Sequence, residues 1–69
     1  MDEKLTIAFN VMPKDLRDWL QPMRSKILEH LEAGQVENAK NVVLLASIPA
    51  QYSEDQKQFA DIIEHIANG

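Results

Sequence analysis

Cysteine is absent from the chain, and with it go disulfides and every thiolate metal site. Histidine occurs twice, in separate segments and with no His-x-x-x-His pair, so no metal site and no cofactor are expected. No run reaches the roughly 18 apolar residues of a membrane span, and no membrane partner is expected. The opening Met1-Asp2-Glu3-Lys4 lacks the basic-then-apolar layout of a signal peptide, which makes cytoplasmic residence the expectation. Basic residues are few: seven Lys and Arg against eleven Asp and Glu leave a net charge of −4. Non-specific binding to nucleic acid draws on Lys and Arg that neutralise phosphate, so this balance disfavours it.

These absences also limit how the chain can be stable. Its 69 residues make a single small domain, residues 1–69, that buries only about 60 % of the surface its unfolded form exposes. Scaffolds below roughly 70–80 residues depend on a disulfide, a metal, a partner or very regular packing. Regular helix packing and self-association are the routes left, and both are expected. The 45 % hydrophobic content is ordinary for a globular domain and argues against disorder.

What is present is an echo. Ile27-Leu28-Glu29-His30-Leu31-Glu32-Ala33-Gly34 nearly repeats in Ile62-Ile63-Glu64-His65-Ile66-Ala67-Asn68-Gly69, 35 residues on. A period in the range of about 20–50 residues marks helix-pair repeats. The echo predicts helix, turn, helix, turn, helix, with glycine closing the first and third. His30 and His65 each follow a glutamate near a helix end, where the macrodipole favours a cation.

Residues 4–11 alternate, with Leu5, Ile7, Phe9 and Val11 on one side and Lys4, Thr6, Ala8 and Asn10 on the other. Alternation predicts a half-buried strand, ended before Pro13. Such a strand has no partner in the chain, so it must pair with its copy in a second subunit or lie as an arm over the helices. A helix is the alternative, since Leu5, Phe9 and Met12 then share a face with Leu16.

The first helix is expected over about 13–33, opening at Pro13, where a missing N–H costs nothing. Leu16, Trp19, Leu20, Met23, Ile27 and Leu31 form its stripe. Pro22 removes a bond to the Asp18 carbonyl and predicts a kink or brief break. Gly34 ends the helix. The second helix is expected over 35–47; its later half, Val42 to Ile48, is apolar nearly all round. A helix apolar on every side is buried on every side, so a second subunit is expected to cover it. The third helix is expected over 54–67, with Ser53-Glu54-Asp55-Gln56 as a capping box and Phe59, Ile62, Ile63 and Ile66 as its stripe. The fold expected is mainly α: a three-helix antiparallel bundle or helical hairpin with an N-terminal strand or extended arm.

Three resemblances attach to these segments. Gly34, Ala39, Val43 and Ala46, followed by Pro49, resemble the second helix of a tetratricopeptide repeat, where small residues let two helices pack closely before a proline-bearing turn. Pro22 and the presence of at most one and a half units depart from that family. Lys4-Leu5-Thr6-Ile7-Ala8-Phe9, then Pro13-Lys14-Asp15-Leu16, resemble the opening of ribbon-helix-helix repressors. That resemblance implies a dimer whose paired strands turn Lys4, Thr6 and Ala8 or Asn10 toward the DNA major groove; the long proline-bearing first helix and the acidic balance depart from it. In size, acidity and proline-separated helices the chain is also similar to small accessory proteins encoded by phages and prophages, which implies a binding role.

No glycine-rich phosphate loop, no Ser-His-Asp order and no metal-ligand spacing is present, so no enzyme is expected. Trp19 either packs in the core or serves as a half-exposed anchor, since tryptophan is enriched at binding hot spots. Tyr52 either staples the third helix or meets a partner. The expected function is that of a small non-enzymatic interaction module (an adaptor, inhibitor or accessory protein) working as a homodimer on another protein. Its interface is expected at Leu5, Ile7, Phe9, Val11, Trp19, Val42, Leu44, Leu45 and Tyr52. The alternative is a ribbon-helix-helix-like DNA-binding regulator, and a third reading is a structural piece of a larger assembly.

Overall fold

Helix dominates residues 1–68, the residues that the computed structural model describes, and no strand occurs among them. Gly69, expected to close the last helix, lies outside the described residues. The segment expected as a strand is instead helix α1, Asp2–Asn10. Leu5, Ala8, Phe9 and Met12 turn inward, while Ile7 and Val11 face out. The alternating and helical patterns share Leu5 and Phe9, which is why the period misleads here. A lone strand would leave its amides without partners, whereas a helix bonds them locally. Asp2 and Glu3 occupy the first turn of α1, where the dipole favours acids.

Pro13 caps helix α2, Lys14–Leu20, in an extended conformation (φ −55°, ψ 144°). A 3₁₀ turn, Gln21–Met23, carries Pro22 and leads into helix α3, Arg24–Glu32. The tighter turn accommodates the residue that lacks an N–H. Leu16, Leu20, Ile27 and Leu31 stay on one buried line through it. The end of α3 is a Schellman motif: the Gln35 N–H donates to the His30 carbonyl at 2.8 Å and the Gly34 N–H to the Leu31 carbonyl at 3.1 Å. Gly34 supplies the left-handed φ of 76° that this motif needs.

Helix α4, Val36–Leu44, is shorter than the span 35–47. It buries Ala39 and Val43, leaves Val42 half-buried, and exposes Leu44 and Leu45. The expectation of burial all round is thus corrected. The chain leaves the helix before Ile48, so the last apolar residues of the run do not ring one helix. After a second 3₁₀ turn, Ala50–Tyr52, helix α5 runs over Ser53–Asn68. The capping box is also corrected. Ser53 already lies inside helical backbone, and the Gln56 side chain turns away to α4, where its Nε2 donates to the Val43 carbonyl at 2.6 Å.

Four rods result in place of three, counting α2 and α3 as one. Helix α4 packs against both α3 and α5, and α1 packs against α5. Phe9 of α1 meets Phe59 of α5 edge-on, with ring centroids 5.1 Å apart. One apolar cluster draws on every helix. At its rim Arg24 donates to the Asp2 carboxylate and, at 2.7 Å, to the Thr6 hydroxyl, tying α3 back to α1. Lys40 joins α4 to α5 through Glu64 at 3.1 Å.

Candidate interaction surfaces

Helix α2 has two stripes. Leu16 and Leu20, one turn apart, take the buried one. Asp15, Asp18 and Trp19 take the outer one, and Pro22 of the following 3₁₀ turn extends it at the i, i+3, i+4, i+7 spacing of a helix face. Across from them lie Pro49, Gln51 and Tyr52, so the two segments enclose an open groove of about 490 Å³. The Tyr52 hydroxyl donates to Asp15 Oδ2 at 2.9 Å and fastens one wall to the other. That bond to a carboxylate is the main reason the Tyr52 phenol lies above its ordinary value of 10.0. Trp19, expected either in the core or as an anchor, is 51 % exposed in the groove. Asp18 accepts from Lys14 at 2.9 Å. This hydrogen bond raises the Lys14 ammonium above its usual range, but both groups are largely exposed, and such pairs are weak and exchangeable.

A second surface lies on α1 and α5. Ile7 and Val11 are 60 % and 66 % exposed, and with Lys4, Ala8, Ile62 and Ile66 they line a shallow apolar groove of about 330 Å³. It continues past Val11 and Ile62 into a hollow of about 280 Å³ bounded by Met12, Pro13, Asp55, Gln58 and Phe59. Leu44 and Leu45 form a third exposed apolar spot, at the end of α4.

The expected interface therefore divides. Leu5 and Phe9 are fully inside the core and are corrected to packing residues, because the helix turns them inward with Ala8. Ile7 and Val11 share one surface, Trp19 and Tyr52 share another, and Val42, Leu44 and Leu45 lie apart from both, on or just beyond the last turns of α4. Ile62, Ile66, Lys4 and Asp15 were not among the expected contacts. The signal for the isoleucines was there: Phe59 and Ile63 already fill the inward face of α5, so Ile62 and Ile66 must sit at its edge. Asp15 carried no local signal, since its partner is 37 residues away.

The ribbon implied by the repressor resemblance does not form. Its residues are α1, Ala8 is buried, and Thr6 is bonded to Arg24 and to the Asp2 carbonyl. His30 Nδ1 donates to Gln35 Oε1 at 2.8 Å, and among the described residues no three of His, Asp and Glu converge as metal ligands. No helix among them is long and apolar enough to cross a membrane. No protein-family model matches the chain, and no curated protein or solved structure matches it.

Proposed function

We propose that this chain is a small non-enzymatic protein-interaction module that works as a homodimer and presents the Trp19–Tyr52 groove to another protein. The observation that carries the reading is the half-exposed indole of Trp19, the chain's only tryptophan, in a groove walled by Tyr52, Pro22 and Pro49 and edged by Asp15 and Asp18. The occupant that fits is an extended partner segment bearing arginine or lysine. A guanidinium or ammonium over an indole face is attracted by the ring quadrupole, and two carboxylates beside it add complementary charge. The prolines supply apolar contact for the aliphatic stem of that side chain. Lys14 is the intramolecular cation that an incoming one would displace from Asp18.

Trp19 emission reads the groove directly, because no other tryptophan interferes. A proline-containing peptide with a central arginine is expected to shift that emission saturably, and added salt is expected to weaken the effect. The same peptide with glutamate in place of arginine is expected to do nothing. By calorimetry, Trp19→Ala and Asp18→Asn should each weaken binding while circular dichroism shows the helices retained. No spectral change and no heat with arginine- or lysine-bearing peptides would sink the groove reading.

A further inference from the structure

We propose that the α1–α5 surface is the seam of a two-fold dimer in which Lys4 of each copy meets Asp55 of the other. This inference rests on the homodimer half of the proposed function and names the surface that makes it. The two helices run in opposite directions along the seam, for Lys4 and Ile66 line one end and Val11 and Asp55 bound the other. The strip thus reads cation, then Ile66, Ile7, Ile62 and Val11, then anion. Rotating a second copy by half a turn about an axis through the middle of the strip sets aliphatic on aliphatic and brings each cationic end onto an anionic end. An isologous interface requires that kind of self-complementarity. A surface with one sign at both ends would repel its own copy.

Two further observations fit a second copy. Among the described residues neither Lys4 nor Asp55 takes part in an ion pair, a state Lys4 shares with Arg17, Lys26 and Lys57, but these two are the charged residues that border the apolar strip. The charges at the two ends are therefore free for a partner of matching layout. The chain is also short and without a disulfide, the situation in which small scaffolds gain stability by associating. A standard interface takes about 800 Å² from each partner, close to a fifth of the 4306 Å² this chain exposes.

Sedimentation velocity from micromolar to millimolar concentration tests the proposal on the intact chain. The natural protein is expected to pass from monomer to dimer, and Ile7→Glu to weaken that association at least about tenfold, the scale of an interface hot spot. Leu45→Glu, at a site more exposed than Ile7 and off the strip, is expected to leave it unchanged. Lys4→Glu and Asp55→Lys should each weaken the dimer and their combination restore it. Circular dichroism checks that each variant is helical. Concentration-dependent methyl shifts at Ile7, Ile62 and Ile66 in the unsubstituted protein give the same answer without any substitution. Dimerisation that ignores all of these changes would overturn the seam and leave the homodimer standing. Dimerisation sensitive to Ile7→Glu but indifferent to the charge reversals would overturn the two-fold pairing. A monomer at every concentration would overturn both seam and homodimer, and the peptide titration of Trp19 would still decide the groove.

Discussion

The Gln56 side-chain amide stands 2.6 Å from the Val43 carbonyl oxygen, so a residue in the first turns of α5 closes the end of α4. The Leu44 and Ala46 carbonyls lie at 3.4 and 3.3 Å from the same nitrogen. The last carbonyls of a helix have no partners within it. Here the tertiary fold supplies one, and α4 ends at Leu44 although apolar residues continue to Ile48.

Removing that donor is expected to loosen the α4–α5 corner. Gln56→Ala should lower stability by about 0.5–1.5 kcal/mol, the range for a single hydrogen bond, since the Val43 carbonyl keeps the Ala46 N–H at 3.2 Å. Gln56→Glu should lower it by at least as much at neutral pH, since a carboxylate cannot donate. Chemical denaturation measures both, and an unchanged midpoint would show that the bond contributes nothing.

At Gly34 the cost of a side chain is one of backbone alone. A Cβ placed there meets no atom within 4 Å, but φ is 76°. Gly34→Ala is expected to destabilise by about 1–2 kcal/mol, the usual penalty for an L-residue in the left-handed region. Gly34→Asn should recover part of it, because asparagine tolerates that region better. Thermal unfolding of the two variants checks the order.

The core and the exposed strip should respond very differently to truncation. Phe59 is fully buried and packs on Phe9, so Phe59→Ala is expected to cost about 3–5 kcal/mol. A chain of this size has about 3–10 kcal/mol in total, so the variant should lose from about a third to all of its stability. Ile7→Ala, at an exposed site, should stay within about 0.5 kcal/mol in dilute monomeric protein. Equal effects at the two positions would contradict the helical register of α1.

Alkaline pH should act on Tyr52, Lys40 and Lys14, all of which titrate above their ordinary values. For Tyr52 the cause is chiefly the bond to Asp15, and for Lys40 chiefly the bond to Glu64. A raised value in the folded state means the fold holds the proton more tightly than the unfolded chain does. The stabilisation is therefore complete below pH 10 and is lost as pH rises through the raised values. The tyrosinate absorbance of the single tyrosine should have its midpoint above 10.0, and Asp15→Asn should move it back toward that value. A midpoint indifferent to Asp15→Asn would show that the two side chains do not meet in solution.

Much of the helical content was legible from spacing. Leu16, Leu20, Ile27 and Leu31 keep one stripe, and Gly34 closes it, because both features are local properties of a helix and its end. The stripe of α5 was equally plain. The strand expected over residues 4–11 shows where local reading stops. Leu5 and Phe9 satisfy a period of two and a helical period alike, and in the helix Phe9 packs on Phe59, fifty positions away. The residues expected at an interface suffered from the same ambiguity: Leu5 and Phe9 are in the core, and Ile62 and Ile66 are partly exposed.

By itself the sequence determined that this protein is helical, acidic and unstapled, with a break at Pro22 and a stop at Gly34, since these follow from residue type and near-neighbour spacing. Only the tertiary structure decided which apolar residues face water, where α4 ends, and that Tyr52 meets Asp15. Those outcomes depend on contacts between segments far apart in the chain, and hydrophobic periodicity says that a face is apolar without saying what it touches.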